Sequence, residues 1–381
     1  MRVFIIAGEP SGDKLGGALM AGLASLAPGI RFEGVGGEAM AAEGLISRFP
    51  MSDLSVMGLA EVLPRLRLLR RRIAQTAQAI AELRPDLVIT IDSPDFCLRV
   101  LRKARALRPD LPVVHYVAPS VWAWRPKRAA RMAPLVDHVL ALLPFEPPYM
   151  QAAGMSCDFV GHPVVAEARA TQAEIAALRA RFPGRIVLAL PGSRGGEIAR
   201  LAPRFGAALA QALPPGVPVL VPTVGAQREA MRREVARWPI AAHVLDAPAD
   251  KRAAFAAAEL ALAASGTVSL ELAANETPMV IAYDVNPVTR YLAERLIRLE
   301  TVTLVNLVSE TRAVPEFLGR DCTAEKIAAG LRDLVDRPEA QAAQRVAMRL
   351  TMERLGQGGA APGLRAAAAV LRFMQGRGRA T

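Results

Sequence analysis

Short apolar runs of strand length recur along the chain, each followed by a stretch with helical spacing. The first is Arg2-Val3-Phe4-Ile5-Ile6-Ala7; others cover 87–91, 113–118, 139–143, 158–163, 186–190, 217–221, 242–245, 260–264 and 278–283. Continuous rather than alternating apolar runs suit strands covered on both faces, and their alternation with helices predicts parallel sheets built from βαβ units. A further strand is predicted at 303–308, with Asn306 as a polar residue inside it. From Thr323 onward the pattern is helical, over 324–334, 338–355 and 362–374. The rhythm starts afresh near the midpoint, at Arg185. The expected fold is therefore α/β, with two similar Rossmann-like halves and a cleft between them. The expected domains are 1–163 and 164–345, with helices in 346–381 crossing back to the first domain or to a partner chain.

The polar residues that punctuate these runs carry the candidate chemistry. Leu190-Pro191-Gly192-Ser193-Arg194-Gly195-Gly196-Glu197 runs from a strand through glycines into a helix. Such a turn leaves backbone N–H groups and the positive end of the helix dipole facing outward, which suits a phosphate, and Arg194 adds a two-point donor. An ordinary βα loop has the same glycines. Ser265-Gly266-Thr267 opens a second helix in the same way, and Glu271 sits one turn in, to accept from ribose hydroxyls or simply to face water. In the first half, Gly8-Glu9-Pro10-Ser11-Gly12-Asp13 follows the first strand without the G-x-G-x-x-G spacing of a dinucleotide site. Its acids would repel a pyrophosphate, leaving a hydroxyl-rich ligand or a structural turn. Asp92 ends the run 87–91, where a carboxylate can take a proton from a substrate hydroxyl, and Asp95 follows it. Trp122 and Trp124 with Arg125, Lys127 and Arg128 form an aromatic and cationic loop, fit for sugar rings, acyl chains or bases, or for packing. Over 56–74, Leu63, Leu66, Leu69 and Ile73 form a helical stripe among Arg65, Arg67, Arg70, Arg71 and Arg72. That pattern suits an anionic membrane surface, or a helix packed on the sheet with a solvated basic face.

Composition narrows the picture. The 381 residues are 52% hydrophobic and 22% charged, a globular balance with room for two cores. No run approaches the roughly 20 apolar residues of a membrane span, and no basic-then-apolar leader precedes the first strand, so no secretory signal is expected. Cys97, Cys157 and Cys322 are far apart, as are the four histidines, so neither a disulfide framework nor a metal spacing is expected. The net charge of +11 admits nucleic acid, anionic membrane or phosphorylated ligands.

Taken together, the motifs resemble those of the lipid-A-disaccharide synthases, bacterial glycosyltransferases. The resemblance rests on Ala7-Gly8-Glu9-Pro10-Ser11-Gly12-Asp13, on Ile91-Asp92-Ser93-Pro94-Asp95-Phe96 and on His115 through Arg125. In the second half it rests on Leu190 through Gly195 and on Ala264-Ser265-Gly266-Thr267, and it extends to about Gly319. Pro10 stands where Ala is expected, and Gly319 where Gln is expected at a donor contact.

The resemblance implies a GT-B-type pair of domains with a helical C-terminus and a cytoplasmic enzyme at the inner face of the inner membrane. Its reaction would join UDP-2,3-diacylglucosamine to 2,3-diacylglucosamine 1-phosphate, with no cofactor and no metal. It implies Asp92 as base and Arg194 on the diphosphate. Gly192, Ser193, Ser265, Gly266, Thr267, Glu271 and Asn306 would complete the donor site. Glu9, Ser11 and Asp95 are candidates for the acceptor, and Leu66, Leu69, Ile73, Arg70 and Arg71 for membrane contact. The C-terminal helices would pack within one chain or exchange in a homodimer. Rival readings are a UDP-sugar epimerase of the same fold and a nucleic-acid-binding protein, although no nucleic-acid motif is visible.

Overall fold

The computed structural model describes residues 1–54, 59–123, 127–223, 225–286, 290 and 300–378. The chain forms two compact units, Met1–Ala166 with Gly358–Thr381, and Glu167–Gln357.

Unit 1 holds a six-stranded parallel sheet of β1 (Arg2–Ala7), β2 (Arg31–Val35), β3 (Leu87–Ile91), β4 (Val113–Tyr116), β5 (His138–Ala141) and β6 (Ser156–Phe159). The strand order is β2-β1-β3-β4-β5-β6. The chain thus steps outward from β1 to β2, then returns to the other side of β1 to lay down β3. Loops leaving β1 and β3 must diverge there, which opens a crevice at the carboxyl ends of the two strands. Every residue of β3, β4 and β5 is buried, because helices cover both faces. Helix Pro94–Leu107 shows how the sequence does this. Proline fits its first turn, and Phe96, Cys97, Val100, Leu101 and Ala104 form the buried stripe.

Unit 2 repeats the plan with β7 (Val187–Leu190), β8 (Val219–Pro222), β9 (Ala242–Leu245), β10 (Leu260–Ala263), β11 (Met279–Tyr283) and β12 (Glu316–Leu318). Its order is β12-β11-β10-β7-β8-β9, so the reversal falls between β7 and β10. Helix Gly195–Ala212 buries Ile198, Leu201, Ala202, Phe205, Ala208 and Leu209 against the sheet. Truncating the fully buried Phe205 to alanine would cost about 3–5 kcal/mol. Ten of the apolar runs are strands, but 303–308 is not. It forms helix Leu304–Ser309, so Asn306 is a helical residue.

The boundary expected at 345/346 falls inside helix Pro338–Arg354, which belongs to unit 2. The last helix, Pro362–Gly378, belongs to unit 1 and packs against helix Pro10–Leu26. The two backbones nearly touch. A Cβ on Gly22 would lie 2.8 Å from the Gly363 carbonyl, and one on Gly363 would lie 2.5 Å from that of Ala18. Further along, Phe373 stacks on His138 at 5.2 Å, and Arg372 pairs with Asp158 at 3.0 Å.

Candidate active site

In unit 1 the loops leaving β1 and β3 carry the predicted acceptor residues. Ala7 and Ile91 are register partners at the ends of these strands, so Gly8-Glu9 and Asp92-Ser93 begin side by side. Asp92 and Ser93 are both left-handed, at φ 48° and 42°, and Val117, just beyond β4, is at φ 83°. Each such residue costs about 1–3 kcal/mol, and clusters of them mark sites where a side chain must be aimed. Asp92 is held there by its own N–H, which donates to the Tyr116 carbonyl at 2.9 Å. Ser93 is wedged against the neighbouring loop. A Cβ on Gly8 would stand 2.6 Å from the Ser93 hydroxyl. The Asp92 carboxylate is half-buried; Glu9 is half-buried at the start of helix Pro10–Leu26, while Ser11 and Asp95 are exposed.

Other polar groups nearby have local duties. Asp13 is buried and caps helix Glu38–Ala42, accepting N–H bonds from Gly37, Ala39 and Met40 at 2.7, 2.8 and 3.1 Å. It therefore serves the next helix rather than its own. His115 shares a 2.7 Å hydrogen bond with Thr90 inside the sheet. Burial, with Arg128 adding to it, pushes its pKa down to about 4, so the ring is neutral. Trp122 donates its indole N–H to Glu146 at 3.2 Å and meets Phe145 edge-on. Glu146 also accepts from the Leu142 and Leu143 amides, yet burial lifts its pKa to about 7. Trp124 and Arg125 lie outside the described residues.

Of the basic stripe, residues 56–58 lie outside the described residues, and the side chains are described from Leu66 onward. Ile73 is 6% exposed and belongs to the core beneath the sheet, so this position packs inward rather than facing outward. Leu66 and Leu69 are half-buried, and Arg70 and Arg71 are exposed. Arg72 is a packing residue, paired with Asp53 at 2.7 Å and lying over the Phe49 ring. Among the described residues no helix is long and apolar enough to cross a membrane.

In unit 2 the switch point brings the two phosphate-type turns together. Leu190 and Ala263 are register partners, so Gly192-Ser193-Arg194 and Ser265-Gly266-Thr267 leave adjacent strand ends. Gly192 and Gly266 take φ of 113° and 145°, conformations open to glycine alone, and so each turns the chain sharply into a helix. Arg194 has non-helical φ and ψ as the N-cap of Gly195–Ala212, with its side chain 63% exposed. Glu197, which the motif reading passed over, lies at the centre of this turn. It accepts from the Ser193 amide at 3.2 Å, from Arg194 at 3.3 Å and from the Tyr283 hydroxyl at 3.2 Å. Its signal was the spacing Ser193-x-x-x-Glu197, since an acid in the first helical turn reaches back to the turn that precedes it.

Glu271 is met by Lys251 at 2.7 Å, a partner no local pattern announces. Asn306 is 1% exposed and braces its own loop. Its amide donates to the Thr301 hydroxyl and the Val314 carbonyl, and its oxygen accepts from the Val314 N–H. Its side chain thus satisfies local backbone groups. Among the described residues no three His, Cys, Asp or Glu side chains gather where a metal could be held.

The family model for lipid-A-disaccharide synthetase matches residues 3–367. The chain is 63% identical to the lipid-A-disaccharide synthase of Ruegeria pomeroyi, covering 99% of this chain and 96% of that one. It is 48% identical to that of Rhodospirillum centenum, over the same shares of the two chains. Among solved structures it resembles a UDP-GlcNAc 2-epimerase from Neisseria meningitidis, with a TM-score of 0.64 at 12% identity over 98% of this chain and 100% of that one. It also resembles MurG of Acinetobacter baumannii, with a TM-score of 0.53 at 15% identity over 98% and 99%. At such identities the two structures share the fold alone, two parallel sheets of the GT-B type.

Proposed function

The chain belongs to the lipid-A-disaccharide synthetase family, whose members are glycosyltransferases, and we propose that its two switch points divide the transfer between them. The epimerase reading shares only the fold with this chain, and the family supports the transferase instead. The donor is UDP-2,3-diacylglucosamine and the acceptor 2,3-diacylglucosamine 1-phosphate. Oxygen 6 of the acceptor attacks the donor's anomeric carbon on the face opposite UDP. The carbon–oxygen bond to the β-phosphate breaks, and its electron pair leaves with UDP. The acceptor's hydroxyl proton passes to Asp92.

The observation that carries this reading is the pairing of loops at each strand-order reversal. In unit 1, neutral His115 is buried in the sheet and Asp13 is spent on capping. Asp92, half-buried and held in left-handed backbone, is the acid suited to the base's role. Glu9, Ser11 and Asp95 line the same loops for acceptor contact. In unit 2, Arg194 and the amides of Gly192, Ser193 and the helix start face the leaving diphosphate, and Ser265, Gly266 and Thr267 add a second set. Glu271 accepts from the ribose, with Lys251 fixing its carboxylate. Asn306 acts at one remove, by holding its loop. Both substrates carry acyl chains, which favours a peripheral site at the cytoplasmic face of the inner membrane. Leu66, Leu69, Arg70 and Arg71 are its contact, and no nucleic-acid partner is involved.

The test supplies both diacylated substrates in detergent and identifies products by mass spectrometry. A disaccharide 1-phosphate with UDP is expected. Free sugar with UDP and no disaccharide would replace transfer by hydrolysis or epimerisation. For the membrane, replacing Leu66 and Leu69 by serine is expected to weaken binding to anionic vesicles and to leave UDP binding unchanged. Equal loss of both would make the pair core residues.

A further inference from the structure

Glu197 occupies the centre of the unit 2 turn, and its side chain is 12% exposed. Three donors converge on it from three places: the Ser193 amide in the turn, the Arg194 guanidinium, and the Tyr283 hydroxyl at the end of β11. The turn is closed tightly around it. A Cβ on Gly192 would stand 2.7 Å from both the Cβ and Oε2 of Glu197. One turn further along the same helix, the Arg200 Nε is buried without a hydrogen-bond partner among the described residues. A Cβ on Gly196 would lie 3.7 Å from the Arg200 Nη1, so this second cation also lies beside the helix start. An anion held by a turn amide, a guanidinium and a phenol at a helix N-terminus is chemically the counterpart of a phosphate oxygen.

We propose that Glu197 is a positioning residue that exchanges with the donor's diphosphate. It holds the Ser193 amide and Arg194 in the orientation that phosphate oxygens need, yields them when the diphosphate enters, and takes them back as UDP departs. Binding then replaces one anion by another, and the returning carboxylate speeds product release. The inference rests on the diphosphate reading of this turn. A purely structural cap would contribute to helix stability and leave UDP affinity alone.

The experiment titrates UDP calorimetrically into the wild-type chain, Glu197→Gln and Arg194→Ala, with melting temperatures and steady-state kinetics for each. Glu197→Gln keeps an acceptor but loses the charge. It is expected to bind UDP about tenfold more tightly, with lower kcat, lower donor KM and a melting temperature within about 2 °C of wild type. Unchanged or weaker UDP binding by this variant would overturn the exchange. Arg194→Ala judges the underlying reading separately. Loss of UDP affinity there, with no gain in Glu197→Gln, would sink the role of Glu197 alone. Wild-type UDP affinity in Arg194→Ala would sink the diphosphate site itself. Should Glu197→Gln fold poorly, Tyr283→Phe removes one donor from the carboxylate, and a smaller gain in UDP affinity is expected. No gain in that case would overturn the proposal.

Discussion

The two switch points have the same topology and are built in opposite ways. Unit 2 turns its chain with glycines, Gly192 and Gly266, at φ values closed to other residues. Unit 1 forces Asp92, Ser93 and Val117 into left-handed backbone instead. Under the proposed mechanism, the difference follows from what each site has to present. A diphosphate is held largely by backbone N–H groups, so a residue without a side chain serves best. A base has to be a side chain, so the strain of a carboxylate-bearing residue is tolerated there. Acids meet cations in both units. In unit 2 Glu197 meets Arg194, Glu271 meets Lys251, and buried Asp284 lies between Arg204 and Arg290. In unit 1 Asp53 meets Arg72 and Asp158 meets Arg372, while Glu146 is met by two amides and an indole.

The sharpest way to break the contrast is Asp92→Asn. Asparagine tolerates left-handed backbone as well as aspartate does, so melting temperature and UDP affinity should hold while turnover falls by about 10²–10⁴. Near-normal turnover would mean the strained position does not carry the base. Gly8→Ala comes next, since its methyl would push on Ser93 and re-aim Asp92. A turnover loss of up to about 100-fold is expected with UDP binding intact, read by kinetics beside calorimetry. Gly192→Ala should do the reverse, weakening UDP binding about tenfold or more by straining the turn and striking Glu197. If UDP binds it as well as wild type, the glycine does not serve the backbone donors. The smallest effect concerns Glu146. With its folded pKa near 7 and an ordinary value of 4.5, it holds its proton more tightly when folded. Its contribution to stability is thus full below about pH 4.5 and declines as pH rises to about 7. Glu146→Gln should flatten that decline in melting temperature against pH.

Fully buried parallel strands such as Val187–Leu190 and Leu260–Ala263 were legible, because four consecutive apolar residues leading into a small-residue turn fit a strand covered on two faces. The edge strands β2 and β12 were not. Arg31–Val35 and Glu316–Leu318 are partly exposed, and their mixed sequences look like loops. The run 303–308 misled for the opposite reason. It is apolar because helix Leu304–Ser309 is buried, and periodicity in so short a run does not separate helix from strand. Asp92, Arg194 and the glycine turns could be placed from strand ends alone. Partners distant in sequence could not, and Lys251 beside Glu271 and Tyr283 beside Glu197 are the instances that matter.

The last helix adds a consequence for how the chain comes into being. Helix Pro362–Gly378 seals helix Pro10–Leu26 of unit 1, although the whole of unit 2 lies between them in the sequence. During synthesis from the N-terminus, unit 1 begins first and ends last. Unit 2 emerges as an uninterrupted segment and can fold while the first sheet still waits for its closing helix. The glycine crossing at Gly22 and Gly363 is then among the last contacts made, and it closes a loop that contains all of unit 2. Until it forms, Leu19 and Leu23 lack their covering from Ala366, Ala367 and Val370, and unit 1 presents an apolar face.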